Sequence, residues 1–500
     1  MSTVITASEL YSYLICPHRV AMDALGDPAA RDSTSPFLQL LWERGTLHER
    51  SVISELGSTL LDLSSLHGDE KERATREAIA RREPLIYSGR LSVHELLGEP
   101  DLLRWERGGY VAIDIKSGTG GEPADAEGNA TVRKTYGVQL ALYTDILSRM
   151  GLAAGRYGYI RDVHRTEVRY NLDEPVGSRS PSLWEIYLKT RAALLRTRAA
   201  PAESRPALCS ACKLCVWRSA CFRALQAAGD LSLLPELGRS RRDALASEFP
   251  TLRDLAQADL LHYTDGNRTE FPGIGRDMLL RFQQRAQLQL AADPAPYLTM
   301  PVSWPPAPVQ LFFDIETDPM RDICYLHGFV IREAGSAAAK HARFEGIFAA
   351  AATPGAERDA FAAAMQVFRR HGDALVIHYS RYERTEYRKL AGKYPDVASV
   401  AEVEALFAQP RAFDLYSDAV RPASQWPAHD YSIKSLAKFC GFQWRDADPS
   451  GASSIEWFDQ WVKTGDPRLQ QRLLDYNEDD CRAMLVVWDR MRQLPLRPHA

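Results

Sequence analysis

Residues 111–118 read VAIDIKSG, and this stretch decides how the first half of the chain is interpreted. Apolar residues flank a central acid and a glycine ends the run, as in a buried β-strand that reaches a turn. Side chains two positions apart on a strand project from one face, so Asp114 and Lys116 point the same way. Surface pairs of this kind are common and usually inert. The interpretation therefore depends on partners elsewhere in the chain.

The partners occur in order along the chain. They lie in the segments RGTLHE, GEPDLL and QLALY and are His48, Asp101, Gln139 and Tyr143. Asp101 and Asp114 can hold a divalent ion that activates water and offsets the charge of a phosphate. Lys116 can orient that water or stabilise the transition state, and His48 is a candidate further ligand. The set predicts metal-dependent cleavage of a phosphodiester.

This ordered set resembles the RecB-like branch of the PD-(D/E)xK nucleases over about residues 1–225. The resemblance implies a restriction-endonuclease-like domain, with a central sheet and flanking helices. It also implies DNA cleavage that depends on Mg²⁺ or Mn²⁺. In that family, the helix that carries the equivalents of Gln139 and Tyr143 lies against the active site and the DNA.

Cysteine placement points to a second kind of site. Cys16 stands alone near the start, and Cys212, Cys215 and Cys221 follow far downstream. Thiolates are the preferred ligands of iron–sulphur clusters, and three on a tight loop need a fourth from elsewhere. The pattern resembles the cluster staple of the AddB-type and CRISPR-adaptation nucleases, which implies a [4Fe–4S] cluster that joins the two ends of the domain. An alternative set of ligands, in which Cys209 and Cys212 act with Cys215 or Cys221, stays open. A zinc ion held by four thiolates is the alternative to the iron–sulphur cluster.

Residues 226–293 are predicted to form a helical connector. FPGIGRDMLLRF at 271–282 has the turn of a helix-hairpin-helix, in which glycine N–H groups and a helix N-terminus meet a DNA phosphate. Gly273, Gly275 and Arg276 are the candidate nucleic-acid-binding residues. Acids match the arginines of this segment, so a connector without DNA contact is the alternative. The proline-rich residues 294–308 are the predicted linker.

A second acidic set follows the linker. LFFDIETD at 311–318 puts Asp314 and Glu316 on one face of a strand, and HYSRYE ends in Glu383 after another strand. YNEDD puts Tyr476 and Asp480 one helical turn apart. Four acids from separate elements can hold two divalent ions, which activate water and stabilise the leaving oxygen of an in-line displacement. Tyr476 is a candidate for positioning the water.

This set resembles the DEDDy exonucleases of the RNase H-like fold, within a predicted domain at 309–500. The resemblance implies a mixed sheet, a Mg²⁺ or Mn²⁺ site and 3′→5′ exonuclease activity. The second motif of that family usually ends in Asp, whereas this chain has Glu383. Later elements of the family are matched around Asp414, a reserve ligand, and around Lys434, which is expected near a phosphate.

Composition excludes several classes of protein. Hydrophobic residues make up 45% and charged residues 25%, and the formal net charge is −4, so the chain has ordinary globular composition and any nucleic-acid contact is local. It has no run of apolar residues long enough for a membrane span and no secretory signal, which favours the cytoplasm.

The fold class predicted is α/β and multidomain. The predicted function is a metal-dependent DNA nuclease with two active sites, acting on single-stranded DNA or free DNA ends in repair, recombination or defence. A nucleic-acid-binding scaffold with one or both sites inactive is an alternative, and so is a C-terminal domain that processes RNA. A helicase or ATPase in trans is the expected partner, because the sequence lacks a GxxxxGK[ST] loop.

Overall fold

The structure, a computed structural model, describes residues 4–121, 132–177, 180–333 and 342–497. The chain divides into two compact units. The first comprises Met1–Pro206 and Ser210–Arg223, and the second comprises Ala207–Cys209 and Ala224–Ala500. Within the described residues, we find no helix with the length and hydrophobicity of a transmembrane span.

The first unit contains short strands and longer helices. Its strands are β1 (Ile5–Thr6), β2 (Leu61–Asp62), β3 (Leu85–Tyr87), β4 (Leu91–Val93), β5 (Leu96–Gly98), β6 (Leu102–Glu106), β7 (Gly109–Ile115), β8 (Tyr157–Arg161) and β9 (Glu167–Asn171). Its helices are α1 (Ala7–Ile15), α2 (Pro17–Leu25), α3 (Pro36–Leu56), α4 (Gly68–Ala80), α5 (Lys134–Arg149), α6 (Leu183–Ala199) and the first part of α7 (Arg218–Ala228), whose residues after Arg223 belong to the second unit.

A mixed six-stranded sheet, in the order β2-β3-β6-β7-β8-β9, forms the centre of the first unit. Strand β7 is antiparallel to β6 and parallel to β8. Every residue of β7 is buried, which explains its nearly continuous apolar sequence. The single acid inside it, Asp114, is therefore costly unless a cation or hydrogen bonds compensate for its burial. A smaller sheet has the order β1-β5-β4.

The two ends of the first unit are tied together. Arg198 of α6 donates from Nε to Glu9 of α1 at 2.7 Å. Trp217 donates from Nε1 to Asp23 of α2 at 2.8 Å. A Cβ at Gly26 would lie 2.6 Å from the Trp217 ring, so this approach requires glycine. The segment that carries the later cysteines thus packs on the helices around Cys16.

The second unit begins with helices and continues into a sheet. Its helices are α8 (Gly238–Leu245), α9 (Leu252–Gln257), α10 (Arg276–Leu290), α11 (Pro354–Arg370), α12 (Tyr382–Lys393), α13 (Val400–Leu406), α14 (Arg421–Ala423), α15 (Ile433–Phe439), α16 (Gly451–Thr464) and α17 (Pro467–Met491). Its strands are β10 (Thr264–Asp265), β11 (Arg268–Thr269), β12 (Tyr297–Leu298), β13 (Val309–Asp318), β14 (Ile323–Glu333), β15 (Arg343–Phe348), β16 (Leu375–His378), β17 (Ala412–Asp414) and β18 (Ser424–Gln425).

The main sheet of the second unit has the order β15-β14-β13-β16-β17. Strands β15, β14 and β13 pair antiparallel, whereas β13, β16 and β17 pair in parallel. Helix α17 packs against β13 and β14. A Cβ at Gly328 of β14 would lie 1.6 Å from Asn477 Oδ1 of α17, so the Asn477 amide occupies the space that a side chain at this position would need.

The connector and the proline-rich stretch pack within the second unit. Arg285 of α10 is buried and donates from Nε to Gln425 Oε1 at 2.9 Å. Strand β12, in the stretch predicted as a linker, pairs with β18. The Trp304 ring lies 4.8 Å from that of Trp488. The domain boundaries at 226, 294 and 309 stay predictions.

The fold class predicted from the sequence is confirmed. Strands β7 and β13 cover the two acidic stretches expected to be strands, and α5 and α17 carry the residues expected on helices. Both main sheets are mixed. Capping side chains fix several helix starts: Ser182 and Glu185 form a capping box at the start of α6, and Asp466 caps α17 ahead of a proline at its first turn.

Two candidate active sites

The first candidate site lies where β6 and β7 pair. Leu102 of β6 faces Ile113 of β7, which brings Asp101, just before β6, next to Asp114. Asp101 Oδ2 accepts a hydrogen bond from the Ile115 backbone N–H at 2.6 Å. Burial and the neighbouring charge of Asp114 raise the pKa of Asp101 well above its usual value. Two close, buried carboxylates favour either a proton or a cation.

Lys116 supplies the positive charge of the first site. Its Nζ lies 2.9 Å from Asp114 Oδ2. Burial opposes the charged lysine, but the carboxylates of Asp114 and Asp101 outweigh burial and raise the pKa of Lys116. The Lys116 backbone N–H donates at 2.9 Å to the carbonyl oxygen of Arg161, the last residue of β8. This hydrogen bond fixes the position of the Lys116 backbone from which the side chain extends.

Helix α3 carries His48 and the neighbouring Glu49, and of these two Glu49 interacts with Asp101. His48 Nδ1 lies 3.0 Å from Arg165 Nη1, and burial and the Arg165 charge lower the pKa of His48. The next residue, Glu49, accepts a hydrogen bond from Tyr87 Oη at 2.9 Å, and its charge adds to the rise in the pKa of Asp101. Sequence reasoning missed Glu49, although it stands in the same RGTLHE segment.

Gln139 and Tyr143 lie in the middle of α5, where every residue from Gly137 to Leu147 is buried. A Cβ at Gly98 would lie 2.8 Å from the Tyr143 ring, so the glycine lets α5 approach the segment that leads to Asp101. Burial and the charges of Asp114 and Asp101 raise the pKa of Tyr143. Gln139 Oε1 is buried, and no donor among the described residues reaches it. The helix thus lies beside the carboxylates.

The cysteines predicted as cluster ligands lie on two packed segments. Cys16 joins α1 to α2, and Cys221 lies in α7. The Cys215 backbone N–H donates to Cys212 O at 3.2 Å, which forms a tight turn. All four thiols are partly exposed and none is in a disulfide. Burial raises the pKa of Cys215 and Cys16 adds to the shift, so these two thiols are close enough to interact.

The second candidate site is a group of three carboxylates. One carboxylate oxygen from each of Asp314 and Glu316 on β13 and Asp480 on α17 lies within 4.8 Å of the other two. Asn477 Nδ2 donates to Asp314 Oδ2 at 2.8 Å, and Ser454 Oγ donates to Glu316 Oε2 at 2.6 Å. Burial and the negative charge of Asp480 raise the pKa of Glu316 to about 8. Burial and Glu316 raise the pKa of Asp314 as well.

Both oxygens of Asp480 are engaged. Trp444 Nε1 donates to Oδ1 at 2.7 Å, and Lys434 Nζ donates to Oδ2 at 3.1 Å. The same ammonium donates to Tyr476 Oη at 2.7 Å. Lys434, Tyr476 and Asp480 therefore form one connected group, which brings the predicted water-positioning tyrosine next to the carboxylates.

The charge of Glu383 adds to the rise in the pKa of Asp314, but Glu383 is not one of the three converging carboxylates. It occupies the first turn of α12, and its buried Oε2 lies 3.7 Å from His378 Nδ1. Burial raises the pKa of Glu383. The carboxylate group found among the described residues does not include it. Asp414, the reserve ligand, accepts hydrogen bonds from the backbone N–H groups of Ser380 and Ser417.

The predicted helix-hairpin-helix turn leads into α10. Gly273 has a φ of +74°, a conformation that favours glycine. Gly275 caps the helix without a side-chain hydrogen bond, and Arg276 is its first residue. The Arg276 backbone N–H donates to Asn267 O at 3.3 Å. The turn expected from the sequence is present, but the hairpin of β10 and β11 leads into it where a helix-hairpin-helix would have a helix. The DNA contact stays a prediction.

Comparison with protein families identifies both regions. Residues 8–222 match the model of the PD-(D/E)XK nuclease superfamily, and residues 311–492 match that of the RNase_H superfamily. A search of curated proteins found no match. Both superfamilies contain nucleases, which hydrolyse phosphodiester bonds and generally use Mg²⁺ or Mn²⁺. The chain therefore carries two nuclease-superfamily domains, and nucleic acid is the substrate class that they imply.

Proposed function

We propose that the chain is a divalent-metal-dependent DNA nuclease with two active sites. It acts on single-stranded DNA or free DNA ends in repair, recombination or defence. The observation that carries the proposal is the convergence of Asp314, Glu316 and Asp480 within 4.8 Å at the centre of the RNase_H superfamily region. Buried carboxylates at this spacing repel one another, and a divalent ion relieves that repulsion.

In the first site, Asp101 and Asp114 would hold the ion. A bound divalent ion activates water and offsets the charge of the phosphate. Lys116, 2.9 Å from Asp114, would orient the attacking water or bind the phosphate as charge develops. We propose His48 as a further ligand of the ion. Gln139 and Tyr143 would support the site from α5.

In the second site, Asp314, Glu316 and Asp480 would hold the ion or ions, with Glu383 as the fourth acid. Tyr476, one helical turn before Asp480 on α17, would position the water that attacks the terminal phosphodiester. This arrangement is typical of 3′→5′ exonucleases of the tyrosine type. We further propose that Gly273, Gly275 and Arg276 contact a DNA phosphate through the start of α10.

The cysteines would hold a [4Fe–4S] cluster in the first unit. The thiols of Cys16, Cys212, Cys215 and Cys221 suit a soft metal centre, and the hydrogen bond from Trp217 to Asp23 joins the segments that carry them. Zinc in the purified protein would contradict the cluster. A helicase or ATPase partner and a cytoplasmic location stay predictions.

One gel tests the nuclease proposal. DNA labelled at the 5′ or the 3′ end is incubated with Mn²⁺ and wild type, Lys116→Ala, Asp480→Ala or the double mutant. Each single mutant is expected to lose a different set of products, and the double mutant to lose both. Digestion by the double mutant equal to wild type would contradict both sites. Cleavage of RNA but not DNA would support the RNA alternative, and binding without cleavage would support a scaffold.

A further inference from the structure

We propose that Lys434 is a positioning residue of the second site. Its ammonium orients the Tyr476 hydroxyl and occupies Asp480 Oδ2 until a divalent ion displaces it. The inference rests on the proposed function, because it concerns the same carboxylates. It assigns to one lysine two opposing effects, namely weaker metal binding and faster hydrolysis.

The position of Lys434 is built by tertiary contacts. It lies in the first turn of α15, which Ser432 caps, and α15 packs against α17. From there its Nζ reaches Tyr476 Oη at 2.7 Å and Asp480 Oδ2 at 3.1 Å. The ammonium also lies 4.8 Å from the centre of the Tyr476 ring, within the range of a cation–π contact.

The direction of the hydrogen bond to Tyr476 has a chemical consequence. An ammonium can only donate, so Tyr476 Oη accepts from Lys434 and keeps its own hydrogen available. That hydrogen can then be donated to a water or a phosphate oxygen in the site. Without the lysine, the hydroxyl can turn its hydrogen towards Asp480, which lies close enough to interact with it. Lys434 therefore selects the orientation of the hydroxyl that is useful for hydrolysis.

The same ammonium competes with a metal ion. Asp480 Oδ1 already accepts from Trp444 Nε1, so Oδ2 is the oxygen that an incoming ion would share with Lys434. Two positive charges within a few ångströms of each other repel strongly at a partly buried site. Removal of the lysine charge should therefore strengthen metal binding. A residue that merely holds the fold together would weaken metal binding when it is removed.

The test uses the full chain with Asp114→Asn, which removes the first site, as the parent. Mn²⁺ affinity is measured by equilibrium dialysis, and cleavage of 3′-labelled single-stranded DNA is measured at saturating Mn²⁺. Lys434→Met should bind Mn²⁺ roughly tenfold more tightly and cleave roughly tenfold or more slowly. Lys434→Arg, which keeps the charge, should stay closer to the parent in both assays.

Lys438→Met is the matched control, because Lys438 lies on the exposed side of the same helix. It should leave both values unchanged. Weaker Mn²⁺ binding by Lys434→Met, or cleavage at the parental rate, would overturn the inference. A parent that binds Mn²⁺ without cleaving DNA would contradict the proposed reaction. In that case the Mn²⁺ affinity of Lys434→Met would still test whether the lysine competes with the metal ion for Asp480. A parent that neither binds nor cleaves would contradict both proposals.

Discussion

The two candidate sites use the same groups but assemble them differently. In the first site, a single pair of adjacent strands supplies both carboxylates and the lysine, since Asp114 and Lys116 are two residues apart and Asp101 precedes the paired strand. In the second site, one strand supplies only Asp314 and Glu316. The remaining carboxylate comes from α17 and the lysine, Lys434, from α15.

The difference shows how each site depends on the rest of its domain. A strand pair holds its side chains at a spacing set by the backbone, so the first site is locally determined. The second site exists only where α15 and α17 dock on the sheet. We therefore expect the second site to be the more sensitive to changes that shift a helix.

The largest expected effect comes from Gly328→Ala. The added Cβ would lie 1.6 Å from Asn477 Oδ1, so the Asn477 amide, which donates to Asp314, would have to move and would disturb the docking of α17 on the sheet. Cleavage at the second site should fall by roughly 10³-fold, as for loss of a metal ligand. The first site should stay active when both are assayed on end-labelled DNA.

Gly355→Ala is the control for this substitution, because a Cβ there meets nothing within 4 Å. Its activity should equal that of wild type. If Gly328→Ala instead keeps full activity at the second site, the docking of α17 does not control that site, and the contrast between the two sites is lost.

A smaller effect is expected in the first unit, where the proposed cluster would join two segments that are far apart in the sequence. Cys215→Ser should bleach the brown colour of the proposed cluster and lower the melting temperature of the first unit by about 10 °C. Cys440→Ser, a partly exposed cysteine of the second unit, is the control and should change neither. Equal colour in both variants would exclude Cys215 as a ligand.

The stability of the second site should depend on pH when metal is absent. The pKa of Glu316 is raised to about 8, so the folded protein binds this proton more tightly than the unfolded chain. Protonation of Glu316 stabilises the folded protein fully below the ordinary glutamate pKa, and this stabilisation is lost as the pH rises through about 8. In EDTA, the melting temperature of the second unit should therefore fall between about pH 5 and 9.

Glu316→Gln removes this titration and should make the fall shallower, leaving the contribution of Asp314, whose pKa is also raised. Glu402→Gln, a surface carboxylate paired with Arg369, is the control and should keep the wild-type slope. Saturating Mn²⁺ should flatten the slope of wild type as well, because the ion replaces the proton. A slope that Glu316→Gln leaves unchanged would show that another group is responsible.

The smallest effect is expected at Glu383. Its carboxylate lies against His378 and outside the group of three, so Glu383→Gln should slow the second site by only roughly tenfold, or about 1.4 kcal/mol in the barrier. Asp480→Asn should slow it far more in the same assay. Equal losses would show that Glu383 contributes as much to metal binding as Asp480 does, and would make the second site less dependent on α17.

Sequence patterns predicted the features that depend on short spacing. The strands around Asp114 and Asp314 followed from their apolar neighbours, and the pairing of Tyr476 with Asp480 followed from helical periodicity. These are properties of a few consecutive residues, which explains why they could be predicted without a structure.

Features that depend on distant contacts were not predictable in the same way. Nothing in the chain around Trp444 indicates that its indole N–H donates to Asp480. The bond from Lys434 to Tyr476 joins residues 42 apart in the sequence. Likewise, the placement of Glu383 against His378 reflects how α12 starts after β16. Packing of helices on a sheet decides such contacts, and local patterns carry little of that information.

The tie between the two ends of the first unit also bears on how the protein is made. Glu9 can bond to Arg198, and Asp23 to Trp217, only after the later residue of each pair has been synthesised. During translation, the early helices therefore leave the ribosome long before their partners do, and contacts of such long sequence separation form late. We expect the first unit to complete its fold only after synthesis has passed the cysteine segment.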